Sequence, residues 1–233
     1  MLYLFLYRLI KSHVLFGLFL SSLLLPHTIT LPTSNPRAAW KSLKKSNERF
    51  VKNPTISKRR SELLHAQNPP YVLVSCSDSR VPPESIFDQL LGSLFVVRIA
   101  GNVIDNLVID SIEFAVSSFS PSVIVVLGHS GCGAVTAAFN HLKDNNSVMN
   151  QPYGHLGAVL NPIENAILQA KVDLQSVDGL ESATKANIRY SADKLVAGSP
   201  MIANAIKKGT LIIVGAEYSL KTGKTTELFT INK

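Results

Sequence analysis

An α/β domain, with a mainly parallel β-sheet flanked by helices, is the fold class this sequence predicts. Three observations predict it: short apolar runs rich in β-branched residues, helix-length stretches between them, and reactive side chains gathered where two of the runs end. The 233 residues suffice for one sizeable domain with appendages. With 46% hydrophobic and 17% charged residues, the chain has enough apolar surface for a real core, which excludes a disordered protein.

The apolar runs are Tyr71–Ser75, Leu94–Val97, Val123–Leu127 and Leu211–Val214. They are too continuous for half-exposed strands and too short for helices, as expected of parallel strands covered on both faces. Helical stretches lie between or after them at Leu107–Ser117, Ala134–Leu142, Gly157–Ala170 and Ala183–Lys208, the last broken near Gly198-Ser199-Pro200. Alternation of this kind builds a parallel sheet.

The preceding residues read differently. Residues 1–30 read as a signal peptide or membrane anchor. Arg8, Lys11 and His13 precede the uncharged run Val14–Leu25, whereas a spanning helix needs ~20 apolar residues. Export to a periplasmic or extracellular site is the expectation, with a membrane-anchored or organellar protein as the alternative. Membrane contact is expected only through this segment, if it is uncleaved. Residues 31–65 form a basic N-terminal helical arm. Asn35 can cap it, Pro36 suits its first position, and Trp40, Leu43, Phe50 and Val51 fall on one face. Residues 66–233 make the α/β domain.

The net charge of +7 does not signal nucleic acid. Residues 1–60 carry 11 Lys and Arg against one acidic residue, Glu48, so the remainder of the chain is mildly acidic at −3. A nucleic-acid binder needs clustered cations on its folded body, and these are scattered.

Ligands of such sheets bind beyond the carboxyl ends of the strands. The first run leads into Cys76-Ser77-Asp78-Ser79-Arg80, and the third into Gly128-His129-Ser130-Gly131-Cys132-Gly133. The chain's only two cysteines thus stand at two strand ends, one of them three residues from a histidine. Two thiolates and an imidazole suit Zn²⁺, and three protein ligands leave a tetrahedral vertex for water or a carboxylate such as Asp78. Taken singly, the cysteines could form a disulfide or sit in the core, and His129 could be a satisfied interior histidine. Asp78 and Arg80 can form an ion pair beside the site, with Asp78 accepting a proton from the attacking water. Gly128-x-Ser130-x-Cys132 is a poor match to a serine-hydrolase elbow, which ends in glycine.

These residues resemble the β-class carbonic anhydrases. The matching stretches are Cys76–Glu84, Leu94–Asn102, Gly128–Val135 and Gly209–Tyr218, with similarity spanning Pro36–Leu228. The resemblance implies Cys76, His129 and Cys132 as ligands of one Zn²⁺ per subunit, and Asp78 with Arg80 as a catalytic dyad. It implies Gln67, Phe95 and Ala100 lining a narrow carbon dioxide cleft. It also implies a homodimer or higher even homo-oligomer, with the N-terminal helix embracing a neighbour. The implied activity is zinc-dependent reversible hydration of carbon dioxide to bicarbonate and a proton, by metal-hydroxide attack. Two thiolates cancel the formal charge of zinc, so activity is expected to grow with pH. Ile99, Ser219 and an insertion at Asp144–Pro152 depart from the family pattern.

Overall fold

A computed structural model of the protein describes residues 35–144 and 156–233. The expected signal or anchor at 1–30, and most of the Asp144–Pro152 insertion, lie outside the described residues. The chain divides after Asn53 into two units. The described part of the first is helix α1, Pro36–Lys52. Its start follows from its first residues: Asn35 Oδ1 accepts from the Arg37 and Ala38 amides at 3.0 and 3.2 Å, and Pro36 has no amide to leave unpaired. Trp40, 61% exposed, shares its apolar stripe with Leu43, Phe50 and Val51, all likewise exposed.

The second unit begins with α2 (Pro54–Glu62) and continues through β1 (Tyr71–Ser75), α3 (Pro83–Ile86), β2 (Leu94–Arg98), a 3₁₀ turn at Ala100–Asn102, α4 (Asn106–Phe119) and β3 (Val123–His129). Then come α5 (Gly133–Lys143), α6 (Gly157–Gln169), α7 (Gly179–Gly198), α8 (Pro200–Lys207), β4 (Ile212–Tyr218) and β5 (Thr225–Ile231). The break expected at Gly198-Ser199-Pro200 separates α7 from α8, where the Ser199 hydroxyl caps α8 by accepting from the Ile202 amide.

The five strands run in the order β2-β1-β3-β4-β5; the first four are parallel and β5 pairs antiparallel to β4. Val72, Val74, Ile124, Val126 and Ile213 form a core with Ile112 of α4, Ile188 and Leu195 of α7, and Ile202 of α8. A second cluster gathers Cys76, Cys132, Val135 and Phe139 with Ile163 and Ile167 of α6, at the carboxyl ends of β1 and β3.

Two features depart from the expectation. Strand β5 is additional. Its sequence Thr-Thr-Glu-Leu-Phe-Thr-Ile mixes polar and apolar residues, and it forms an edge strand paired on one side only. The sheet is also incompletely covered by the described residues. Val123, Val125 and all of β2 except exposed Arg98 are half-buried, and a cavity of about 300 Å³ opens among Tyr71, Leu73, Phe87, Leu94, Val123 and Val125.

Candidate metal centre

The centre lies where β1 and β3, adjacent and parallel, release their chains. Register pairs Ser75 with Leu127, so Cys76 leaves β1 beside the end of β3, which runs on to His129. The turn after His129 reverses through Gly131 at φ +65°, a left-handed conformation that favours glycine. This turn delivers Cys132 to the N-terminus of α5.

Cys76, His129 and Cys132 are all buried, and their donor atoms lie within 4.8 Å of one another. The two sulfurs are 3.9 Å apart and both thiols are free. A disulfide requires about 2.05 Å, so the disulfide alternative fails. Two sulfurs each ~2.3 Å from one ion at a tetrahedral angle would lie ~3.8 Å apart, close to the observed separation. His129 Nδ1 sits 3.0 Å from the Ser130 carbonyl oxygen, which accepts its proton and leaves the lone pair on Nε2. That Nε2 is buried and has no hydrogen-bond partner among the described residues. An orphaned imidazole nitrogen facing two sulfurs is a donor set that fits Zn²⁺.

The electrostatics agree. The hydrogen bond from Cys132 and the nearness of His129 outweigh burial and bring the Cys76 thiol down to about 4. The same contact, together with burial, pushes the Cys132 thiol up. Burial opposes a charge on His129, but the neighbouring Cys76 sulfur more than offsets it and raises the ring's pKa. The cluster therefore attracts positive charge.

Asp78 and Arg80 stand beside it. Arg80 Nε donates to Asp78 Oδ1 at 2.9 Å and Nη2 to Oδ2 at 2.7 Å, while the Arg80 amide also reaches Oδ1 at 2.9 Å. These bonds hold the Asp78 carboxyl well below the usual carboxylate range and raise the guanidinium. Arg80 Nη2 also donates to the Gly131 carbonyl at 3.3 Å, tying the dyad to the His129–Cys132 turn. Asp78 Oδ2 lies 4.0 Å from His129 Nε2.

Of the three expected cleft residues, Ala100 is exposed in the turn whose next residue, Gly101, donates its amide to Cys76 Sγ at 3.3 Å. The other two are not drawn to the cluster within one chain. Gln67 is exposed ahead of β1, and the Phe95 ring packs on Phe114 and Phe119 at 6.3 and 6.1 Å between centroids. Sequence reasoning missed Arg98. Its Nε donates to the Cys76 carbonyl at 3.0 Å and its Nη2 to the Asp78 carbonyl at 2.6 Å, so one guanidinium clamps the loop that carries both residues. The available signal was a cation standing directly at the end of an apolar run. Behind the Ser130–Gly131 turn lies a cavity of about 360 Å³ bordered by Glu181, Thr184, Glu217 and Ser219, where burial raises the Glu217 carboxyl.

Comparison with known proteins decides the family. A family model described as Carbonic anhydrase matches residues 71–225. Over 200 residues, the chain is 42% identical to Carbonic anhydrase 2 of Mycobacterium tuberculosis, covering 83% of this chain and 93% of that one. The chain belongs to the β-carbonic anhydrase family. Its fold resembles the β-carbonic anhydrase CafA of Aspergillus fumigatus, with a TM-score of 0.68 at 26% identity over 82% of this chain and 89% of the other. A likeness in fold alone extends to the tetrameric β-carbonic anhydrases of Sordaria macrospora, with a TM-score of 0.64 at 23% identity over 82% of this chain and 95% of that one. As a carbonic anhydrase the protein is a carbonate dehydratase, a lyase that interconverts carbon dioxide and bicarbonate. The three-donor cluster is compatible with that chemistry.

Proposed function

We propose that Cys76, His129 and Cys132 hold one Zn²⁺ per chain, and that Asp78, oriented by Arg80, receives the proton or hydrogen bond of the water that attacks carbon dioxide. The observation that carries this reading is the buried cluster of two free sulfurs and an imidazole nitrogen without a hydrogen-bond partner among the described residues. A zinc ion there would supply a Lewis acid that lowers the pKa of water and so makes it a nucleophile, less strongly than where three neutral imidazoles hold the metal.

The chain's own residues do the rest. The Ser130 carbonyl fixes the His129 tautomer, so Nε2 presents its lone pair to the cluster. Arg80 keeps Asp78 ionised and engages both carboxylate oxygens, fixing Oδ2 4.0 Å from His129 Nε2 at the edge of the cluster. Arg98 anchors the Cys76 and Asp78 main chain, so ligand and base keep one spacing.

Gln67, Phe95 and Ala100 are assigned to a carbon dioxide cleft completed by a second copy of the chain. A dimer or larger even homo-oligomer is the proposed state. Support comes from the exposed apolar stripe of α1, the partly uncovered face of β1 to β3, and the tetrameric Sordaria proteins of the same fold. Export directed by residues 1–30, an arm at 31–65 and a catalytic domain from 66 complete the reading. No helix among the described residues is long and apolar enough to cross a membrane.

The test measures zinc content and stopped-flow carbon dioxide hydration on the same preparations. The wild type should carry one zinc per chain, and Cys132→Ser should lose both the metal and the activity. A zinc-free yet active Cys132→Ser enzyme would remove the proposed site.

A further inference from the structure

We infer that Asn187 is a positioning residue for the metal centre, acting on Cys76 through the Ala100–Asn102 turn; the inference rests on Cys76 being a metal ligand. Asn187 lies in the middle of α7 and is only 1% exposed, on the buried face that also carries Ala183, Ile188 and Ala192. A primary amide there is unfavourable twice over. Asparagine is a weak helix former, and the amide loses its water. Alanine or leucine would avoid both costs, so the amide must make a contact that they cannot.

The contact is a hydrogen bond across 86 residues of chain, from Asn187 Nδ2 to the Gly101 carbonyl at 2.8 Å. Gly101 is the residue whose own amide donates to Cys76 Sγ at 3.3 Å. The two bonds leave from peptide planes that meet at one Cα. Gly101 sits at φ +65° and ψ 17°, and Asn102 follows at φ +46°, so the turn is left-handed at two successive residues. A β-carbon on Gly101 would lie 2.7 Å from Ile163 Cδ1 and 3.1 Å from Ala134 Cβ. The turn is thus held against α5 and α6 by close packing and tied to α7 by Asn187. With the carbonyl tied, the amide on the other side of the same Cα is aimed at the sulfur.

Hydrogen bonds to a ligating atom orient it and tune how strongly it donates to the metal. Without the Asn187 amide the Gly101 carbonyl is left buried without this donor, and the turn can shift. All three ligands then remain in the chain, but Cys76 loses its fixed amide partner.

The experiment uses the full chain loaded with Co²⁺ in place of Zn²⁺, and compares wild type, Asn187→Ala and Leu195→Ala. Leu195 is equally buried on α7 but lies eight residues, about 12 Å, further along the helix. Three quantities are read: the thiolate-to-cobalt charge-transfer band, metal affinity by chelator competition, and the denaturation midpoint. Asn187→Ala is expected to move the band and weaken metal binding about tenfold, the low end for residues that support ligands. Leu195→Ala should lower the midpoint while band and affinity stay as in wild type. Asn187→Leu, similar in volume but without the donor, is read the same way and decides the matter if the alanine variant does not fold. Band and affinity unchanged by loss of the amide, or weakened equally by Leu195→Ala, would overturn the inference and leave the metal site standing. A wild-type chain that gives no thiolate-to-cobalt band would overturn both.

Discussion

Replacing Asp78 by asparagine separates a chemical role from a structural one. The substitution keeps the shape and Oδ1, so the 2.9 Å bond from the Arg80 amide survives, but the charge and one acceptor oxygen are lost. The Arg80 side chain is 57% exposed and that of Asp78 17%, so solvent screens their ion pair and it adds little to stability. The melting temperature should fall by no more than about 3 °C for a domain of this size. A positioned base typically contributes about 10²–10⁴ to rate, so turnover should fall by that factor with zinc still bound. Stopped-flow hydration, metal content and thermal melting on one preparation read all three quantities.

The pH dependence follows from the lowered Asp78 pKa. A depressed carboxyl contributes its stability in full above its unfolded value of about 3.9, and loses it progressively as pH falls from there through the still lower folded value. The small stability difference between Asp78→Asn and wild type should therefore be flat from neutral pH down to about 5 and shrink progressively in stronger acid. Turnover within about threefold of wild type, with full metal, would refute the assignment of Asp78 as the base. A melting temperature lowered by ten degrees or more would mark it as a structural partner instead.

The remaining predictions concern support for the site and the core. Arg98→Ala removes both main-chain clamps on Cys76 and Asp78 and should destabilise the protein by about 1–2 kcal/mol, a partly exposed pair of hydrogen bonds. Arg98→Lys should recover only part of this, because an ammonium lacks the planar fork; equal midpoints in urea for all three proteins would argue against the clamp. Glu164 is buried 3.1 Å from His141 Nδ1, and burial raises its carboxyl above the ordinary 4.5. A raised carboxyl gives its stability in full below the ordinary value and loses it as pH rises through the folded value. Glu164→Gln should therefore gain on wild type as pH increases from 4.5 toward neutrality, and parallel stability–pH curves would contradict this.

Much of the architecture is local, which is why the sequence alone determined it. Continuous β-branched runs specify buried strands, Asn35-Pro36 specifies the start of α1, and Gly198-Ser199-Pro200 specifies the break between α7 and α8. The cluster of Cys76, His129 and Cys132 was legible for a related reason. Its three donors stand at the ends of two strands, and parallel strands deliver their ends to one side of a sheet. What tertiary structure alone decided is every contact whose partners are far apart in the chain or belong to the main chain. The placement of β1 between β2 and β3, the grip of Arg98 on two carbonyls and the reach of Asn187 to Gly101 have no local pattern to announce them. Likewise Phe95 and Gln67 carry plausible side chains for the cleft, yet one chain packs the first into its own aromatic cluster and leaves the second exposed. Periodicity and turn chemistry act over a few residues, whereas the choice among distant partners depends on how whole faces pack, and that information exists only once the chain has folded.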